Sequence, residues 1–493
     1  MNNTVQLITY ADRIAGKGIS ELHQLLNTQL NGIFSGVHVL PYFYPIDGSD
    51  AGFDPIDHTQ VDQRLGQWAD IQRLGRDFDV MSDLIVNHMS AQSAEFRDVL
   101  SNGRSSVYWD LFLTQDKVFP NGITAQEQAA IIQPKVEGCF TPYQLADGET
   151  VNFWTTFTSN QIDIDVTTQA GKDYINRVLT TFAQNNVKLV RLDAAGFAIK
   201  RAGTSCFMLD ETYDFIDSLS DQVNALGMES LVEVHSHYKT QIEIAKKVNL
   251  VYDFALPALV LHTLYQRDFS ALSYWLDIAP QNCITVLDTH DGIGVEDVSK
   301  AGELSGLLSD AQVQNLVSQI AINSRGNSLK ASGSAAVNVD IHQVNCSYYD
   351  ALAGDDLQYL IARAIQFFSP GVPQVYYGGL FALENDMALL QKSNVGRDIN
   401  RSYLTPANVE THLKKPVVGA LIELIKLRND HDSFNGEFSL ASSQQQCNLM
   451  WHSGDNQISL LVDLASMTAE ITLNTAGKSR IIDLKALLAQ HAS

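Results

Sequence analysis

Eight short apolar runs, mostly separated by segments of helical periodicity, constrain the fold of this chain more than any other feature of its sequence. The runs are apolar on both faces, which is typical of parallel strands covered by helices on both sides. Eight such strands predict an α/β fold, a (β/α)8 TIM barrel. The runs are Val5–Thr9, Gly36–Leu40, Val80–Val86, Val187–Leu192, Ser230–Val234, Leu250–Phe254, Cys283–Leu287 and Val372–Tyr376.

Two intervals between the predicted strands are too long for a single crossover helix. We expect insertions after strands 3 and 7, over the end of the barrel where this fold holds its active sites. From Phe434 onward, alternating apolar residues predict a small C-terminal antiparallel β-domain. The predicted parts are barrel domain A in residues 1–86, 167–291 and 356–433, insertion domain B in 87–166, insertion domain B′ with a mobile acceptor loop in 292–355, and the C-terminal β-domain in 434–493.

The charge balance of the chain limits its partners. Acidic residues outnumber basic ones by 56 to 33, which gives a net charge of −23. This argues against nucleic acid and membrane surfaces as partners, because both require basic patches. Five cysteines without C-x-x-C spacing predict neither a disulfide framework nor a zinc site. With no signal-peptide pattern and no run of eighteen apolar residues, we expect a cytoplasmic protein.

Carboxylates and imidazoles follow most of the predicted strands. Any one of them could be a solvated strand end or a helix cap. Because the carboxyl ends of barrel strands meet at one rim, several together favour an active site there. The residues are Asp50 after the second strand, His88 after the third, Asp193 after the fourth, Glu233 and His235 after the fifth, and Asp288, His290 and Asp291 after the seventh.

The fourth strand carries an arginine and an aspartate that point the same way, because side chains alternate faces along a strand. A guanidinium at Arg191 would keep Asp193 ionised, as a nucleophile in covalent sugar transfer requires. A second carboxyl would donate a proton to the leaving oxygen, and a third would stabilise the oxocarbenium-like transition state. The residues alone do not assign these roles among Asp193, Glu233, Asp288 and Asp291.

Seven longer stretches carry a family resemblance. They are Asp50–His58, Val86–Ser90, Arg191–Ala194, Ala202–Met208, Glu233–Ser236, Thr285–Val295 and Gly396–Arg401. In these stretches the chain resembles the α-amylase-type clan of glycosidases and, within it, the sucrose phosphorylase family. The segment from Leu287 to Val295 and the segment Gly396–Arg401 are the most specific. The resemblance extends from the first strand to about residue 435.

The resemblance implies a role for each matching residue. It makes Asp193 the nucleophile, Glu233 the general acid/base and Asp291 the transition-state stabiliser, with Asp288 in a supporting position. It implies no metal and no cofactor, with inorganic phosphate as co-substrate. The implied substrate-binding residues are Asp50, Phe53, His88, Phe157, Gln161, Arg191, His235, His290 and Arg397.

The reaction implied by the resemblance is phosphorolysis of sucrose to α-D-glucose 1-phosphate and D-fructose. It proceeds by double displacement through a covalent glucosyl-Asp193 intermediate, with retention of configuration. Two loops are expected to bind phosphate and the acceptor: the first contains Lys135, and the second contains Asp340, His342 and Gln343. Relatives also imply a homodimer.

Two departures from the family pattern leave alternatives open. Lys135 stands where relatives often have arginine, and His342 stands where many have tyrosine. A phosphorylase acting on sucrose 6′-phosphate or on glucosylglycerol therefore stays open, as does a hydrolase or transglucosylase of the same clan. A non-catalytic barrel, such as a transporter subunit or carbohydrate-binding scaffold, is disfavoured because all three carboxylates are present.

Overall fold

Eight parallel strands close into a barrel at the centre of the computed structural model, which describes residues 2–47, 50–134, 138–332, 343–475 and 478–492. Each strand overlaps one of the eight apolar runs, so the predicted TIM barrel is confirmed. The strands are β1 Gln6–Thr9, β2 Gly36–Val39, β3 Asp79–Ile85, β4 Val187–Asp193, β5 Glu229–Val232, β6 Leu250–Asp253, β7 Cys283–Thr285 and β8 Val372–Tyr376.

The strand order around the barrel follows the chain, and β8 closes the ring by pairing with β1. At this closure the amide of Gln374 donates to Oε1 of Gln6 at 2.9 Å, both side chains being buried. In β4, Arg191 lies opposite Asp83 of β3 and Leu231 of β5. This register brings a buried carboxylate beside the arginine that the sequence analysis singled out.

Helices cover the outside of the barrel, and others lie in the two long intervals and after the C-terminal sheet. Several begin at the N-cap residues that satisfy free backbone N–H groups; Thr168, Ser309 and Asp355 each accept such a bond. The helices are Ala11–Ala15, Ile19–Asn27, Trp68–Asp77, Ala94–Asn102, Gln115–Val118, Ala125–Ala130, Gln169–Gln184, Asp210–Ala225, Tyr238–Ala245, Ala255–Gln266, Ser270–Ile278, Asp310–Asn323, Asn327–Ser332, Tyr348–Ala351, Asp356–Phe368, Tyr377–Leu380, Met387–Ser393, Pro406–His412, Pro416–Asp430 and Leu484–His491.

The two long intervals hold short elements of their own. Between β3 and β4, Phe140–Gln144 pairs with Thr150–Trp154, and His88–Ser90 pairs with Gln161–Asp163. Between β7 and β8, two residues at Ile293–Gly294 pair with Gln343–Val344. The domain boundaries themselves stay a prediction. The predicted mobile acceptor loop falls largely on residues 333–342, outside the described part of the chain.

A five-stranded antiparallel sheet follows the barrel, as predicted for the C-terminal domain. Its strands are β9 Glu437–Ser442, β10 Gln446–Ser453, β11 Asn456–Asp463, β12 Thr468–Thr475 and β13 Lys478–Asp483. The sheet contacts the barrel where the indole of Trp451 donates to the carbonyl of Phe368 at 2.8 Å. Within the described residues, no helix has the length and apolar character needed to cross a membrane.

Candidate active site

A cavity of about 690 Å³ opens at the carboxyl ends of the barrel strands. Residues from both long intervals complete its wall. The lining residues are Asp50, Phe53, His88, Ile132, Gln133, Pro134, Phe157, Asp193, Ala194, Gly196, Phe197, Phe207, Glu233, Val234, His235, His290, Asp291, Glu296, Gln343, Asn345 and Arg397. The three carboxylates with proposed chemistry therefore share one cavity.

Asp193 ends strand β4 and is bound by Arg191. The Nη1 atom of Arg191 lies 2.6 Å from Oδ1 of Asp193 and 2.7 Å from Oδ1 of Asp83. Burial would raise the pKa of Asp83, but His38 and Arg191 together lower it to about 2. Burial, with the carboxylates of Glu233 and Asp83, raises the pKa of Asp193, and the guanidinium opposes this shift. Arg191 is therefore the cation that opposes protonation of Asp193.

The turn after Asp193 directs a backbone donor at the second carboxyl group. Ala194 has a positive φ of 55°, so the chain leaves the strand sharply. Its N–H donates to Oε2 of Glu233 at 3.0 Å, which joins the ends of β4 and β5. Gly196 lies close to Phe207, where an added Cβ would be 2.8 Å from the ring. A side chain at Gly196 would therefore require this turn or the ring of Phe207 to shift.

Glu233 faces a histidine that a buried carboxylate orients. Nε2 of His235 lies 3.7 Å from Oε1 of Glu233, and its Nδ1 lies 3.2 Å from Oδ2 of Asp297. Burial alone would lower the pKa of His235, but Asp297, Glu233 and Asp291 raise it to about 9. The amide nitrogen of Gln343 lies 3.1 Å from Nε2, and it can donate a hydrogen bond to this atom only if the ring is neutral. Since the buried carboxylate of Asp297 outweighs one amide dipole, we take His235 as charged at neutral pH.

The charge on His235 predicts how stability changes with pH. The ordinary pKa of 6.5 rises to about 9 on folding. Protonation therefore stabilises the fold fully below pH 6.5, and this contribution is lost as the pH rises through 9. We expect His235→Asn to have a lower unfolding free energy than the unsubstituted protein. The difference between the two proteins should be about 3 kcal/mol larger at pH 6 than at pH 10.

Urea titrations between pH 6 and pH 10 measure this difference. Replacing exposed His452 with asparagine is a control for the loss of a histidine outside the cavity. A stability difference for His235→Asn that is the same at both ends of the pH range would show that His235 is not charged.

Asp291 lies beside two arginines and a histidine in the same cavity. Its Oδ1 is 2.9 Å from Nη1 of Arg397 and 3.6 Å from Nη2 of Arg401, and its Oδ2 is 3.6 Å from Nε2 of His290. Burial opposes ionisation, but Arg397 and the other cations hold the pKa of Asp291 well below its usual range. This carboxylate is therefore charged throughout the pH range in which enzymes work.

An aromatic surface lines the same cavity. The rings of Phe53 and His290 stack at 4.9 Å with an angle of 5° between them. His88 donates from Nε2 to the carbonyl of Phe53 at 2.9 Å and contacts Phe157 edge-on at 5.3 Å. Burial lowers the pKa of both imidazoles, so each is neutral and can donate one hydrogen bond. Flat apolar rings beside neutral donors suit a sugar ring.

Most of the site residues predicted from the sequence meet in this cavity. Those on its wall are Asp50, Phe53, His88, Phe157, Asp193, Glu233, His235, His290, Asp291, Gln343 and Arg397. Gln161 lies behind the wall, 3.0 Å from His88, and Arg191 lies behind Asp193. Asp288 points to Arg363, with both carboxylate oxygens 2.7 Å from Nη2. Lys135, Asp340 and His342 lie outside the described residues.

The sequence analysis missed two kinds of residue. Glu296 and Asn345 line the cavity but lie in the interval between β7 and β8, where no strand end marks them. Asp83 and Asp297 act from behind the wall on Arg191 and His235. A carboxylate in the middle of the apolar strand β3 is a signal that could have identified Asp83.

Three of the cavity residues lie close enough for metal ligation. The ligand atoms of Glu233, His235 and Asp291 lie within 4.8 Å of one another. However, Arg397 contacts Asp291 at 2.9 Å, and Nη2 of Arg191 lies 3.7 Å from Glu233. These guanidinium groups occupy the carboxylates that a metal would need, and they would repel it. A reaction that needs no metal or cofactor stays a prediction.

Comparison with known proteins identifies the family. Residues 29–255 match the family described as alpha amylase, catalytic domain. A sucrose phosphorylase from Agrobacterium vitis is 51% identical over 474 residues, covering 96% of this chain and 97% of that protein. A sucrose phosphorylase from Bifidobacterium adolescentis is 48% identical over 464 residues, covering 93% and 92% respectively.

A solved structure has the same architecture throughout. The crystal structure of sucrose 6F-phosphate phosphorylase from Thermoanaerobacter thermosaccharolyticum matches with a TM-score of 0.90 and 36% identity, covering 98% of this chain and 99% of that chain. The identities extend over nearly the full length and include the α-amylase catalytic domain. The chain is therefore an enzyme of the retaining type that transfers hexosyl groups, and it belongs to the sucrose phosphorylase family of the α-amylase-like glycosidases.

Proposed function

We propose that this enzyme converts sucrose and phosphate to α-D-glucose 1-phosphate and D-fructose by double displacement. The observation that carries the mechanism is the 2.6 Å contact between Arg191 and Asp193 at the end of β4. The guanidinium favours the ionised form of Asp193, and an ionised carboxylate can attack an anomeric carbon. The names of the two relatives at 51% and 48% identity support sucrose as the donor.

The proton needed by the leaving group resides on Glu233 in this proposal. Asp193 and Glu233 both lie near the guanidinium of Arg191, and double displacement needs one of them as a carboxylate nucleophile and the other as a proton donor. Arg191 is 2.6 Å from Asp193 but 3.7 Å from Glu233, so the negative charge is favoured on Asp193 and the proton on Glu233. Glu233 donates this proton to the departing fructose oxygen and later recovers one from the acceptor phosphate.

The remaining residues of the cavity bind the glucosyl unit and its transition state. Asp291, charged and fixed by Arg397, stabilises the positive charge that develops on the sugar ring. Neutral His290 donates to a sugar hydroxyl. His88, whose N–H is donated to the carbonyl of Phe53, and Phe53 itself provide ring surface. Asp50 and Arg397, 3.7 Å apart, bind sugar hydroxyls beside Asp291.

The acceptor phosphate needs a cation that the described cavity wall does not offer in free form. Among the described lining residues, Arg397 is the one arginine or lysine, and it is paired with Asp291. Charged His235 is paired with Asp297. Lys135 directly follows Pro134, and His342 directly precedes Gln343, and both neighbours line the cavity. We therefore assign phosphate binding to Lys135 and His342.

Replacing Lys135 with alanine tests this assignment. Loss of one charge-assisted contact is expected to raise the Michaelis constant for phosphate by about ten- to a hundredfold. A larger share of the intermediate should then react with water and release free glucose. Initial rates of glucose 1-phosphate and glucose formation measure both effects. Lys188→Ala, at an exposed position of β4, is the control; unchanged phosphate affinity in Lys135→Ala would exclude Lys135 from the anion site.

The donor is tested by a direct comparison of substrates. Sucrose, sucrose 6′-phosphate and glucosylglycerol are each incubated with the enzyme, with and without inorganic phosphate. We expect glucose 1-phosphate from sucrose only when phosphate is present. A faster reaction with either of the other donors would show that sucrose is not the preferred substrate. Glucose release at the same rate without phosphate would show that the enzyme is a hydrolase.

A further inference from the structure

Lys200 has its ammonium group buried beside the cavity, where it meets three acceptors. Its side chain is 1% exposed, and its Nζ lies 3.0 Å from Oδ2 of Asp163, which is 0% exposed. The same Nζ donates to Oδ1 of Asn87 at 3.1 Å and to the carbonyl oxygen of Phe197. Three N–H protons therefore meet three acceptors, and each acceptor belongs to a different segment of the chain.

Each of these segments carries a ring of the cavity wall. Asn87 directly precedes His88, and Phe197 is itself a wall residue. Asp163 accepts from the backbone N–H and the hydroxyl of Thr156, at 2.9 and 2.5 Å, and Thr156 directly precedes Phe157. Hydrogen bonds and short stretches of backbone therefore link the ammonium group of Lys200 to the rings of His88, Phe157 and Phe197.

The three rings contact one another in sequence along the wall. The ring of His88 is 5.3 Å from that of Phe157, which is 5.4 Å from that of Phe197. Phe197 continues the row to Phe207 at 4.6 Å. The turn that ends at Phe197 also includes Ala194, whose N–H holds Glu233. A shift of Phe197 would therefore move both the wall and the backbone donor to Glu233.

We propose that Lys200, paired with Asp163, is a positioning residue that fixes the aromatic wall of the glucosyl site. The proposal rests on the proposed function, because its effect is on donor binding and on the fate of the intermediate. Without the three bonds of Lys200, segments from the insertion, from β3 and from β4 lose their common anchor. The wall then closes less tightly on the sugar, and water reaches the intermediate more often.

The test removes the pair without leaving a buried charge alone. A single substitution at Lys200 or Asp163 would strand the other charge and destabilise the fold. The double variant Lys200→Met with Asp163→Asn removes both charges and keeps similar volumes. Lys188→Met, an exposed lysine on β4, is the matched control for the lysine substitution. Thermal unfolding is measured first, so that kinetics are compared only between folded enzymes.

The expected result separates positioning from a structural role. In the folded double variant, kcat/KM for sucrose should fall by about ten- to a hundredfold. The KM should rise more than kcat falls, and the ratio of glucose to glucose 1-phosphate should increase. Lys188→Met should keep all three values.

A folded double variant that keeps KM and the product ratio within twofold of the unsubstituted enzyme would overturn the proposal. An unsubstituted enzyme that forms no glucose 1-phosphate from sucrose would instead refute the proposed function. A double variant that does not fold is replaced by Lys200→Arg, which keeps the charge but cannot place a single nitrogen among three acceptors. For Lys200→Arg, kcat/KM, KM and the product ratio are measured in the same way. A change in these values supports the proposal, and values within twofold of the unsubstituted enzyme overturn it.

Discussion

Replacing Asp193 with asparagine is expected to reduce glucosyl transfer to phosphate and to water alike by at least about 10⁴-fold. Both reactions pass through the same covalent intermediate, which an amide cannot form. The carboxylate is 2.6 Å from Arg191, so asparagine keeps the shape of the contact and removes the charge. Formation of glucose 1-phosphate and of glucose from sucrose, each measured with and without phosphate, gives the two rates.

A second variant distinguishes loss of the nucleophile from general damage. In Asp193→Ala the space of the carboxylate is free for a small anion such as azide. With α-glucosyl fluoride as donor, azide should attack from the face that Asp193 occupies and give β-glucosyl azide. The α-anomer of the azide, or substantial turnover of Asp193→Asn beyond trace deamidation, would show that Asp193 is not the nucleophile.

The barrel could be predicted from the sequence because its strands are buried on both faces. A run such as Val187–Leu192 therefore lacks the strict alternation of apolar and polar residues that is typical of a half-exposed strand. Helical segments separate it from the neighbouring runs. The C-terminal sheet was predictable for the opposite reason, since its strands alternate between buried and exposed residues. The last helix, Leu484–His491, was not predicted.

The cavity could be predicted from strand ends, but its supporting residues could not. Asp193, Glu233 and Asp291 each follow an apolar run, so the fold alone brings them together. Asp297 reaches His235 across 62 positions of the chain, and Lys200 reaches Asn87 across 113. Such contacts depend on the path of the insertions, which periodicity does not determine. The family resemblance is confirmed by identity over nearly the whole chain, and the residue roles that it implies stay predictions.

Replacing Glu233 with glutamine is expected to reduce turnover of sucrose by about 10²- to 10⁴-fold. Fructose leaves as an alkoxide unless its oxygen is protonated, and an amide has no proton to give at neutral pH. Fluoride is a far better leaving group and needs little help, so α-glucosyl fluoride should be consumed with a much smaller loss. The test is the ratio of the initial rate with sucrose to that with α-glucosyl fluoride, both measured at the same enzyme concentration.

The control for this prediction is the other glutamate of the described cavity wall, Glu296. Glu296→Gln removes a charge from the same cavity but no proton from the leaving group, so both donors should change by the same factor. Azide tests the role of Glu233 as a base in the second step, because azide attacks the intermediate without needing a base. Added to Glu233→Gln with α-glucosyl fluoride, it should restore turnover and give α-glucosyl azide, the anomer opposite to that from Asp193→Ala. Equal losses on sucrose and on the fluoride in Glu233→Gln would remove Glu233 from the role of general acid.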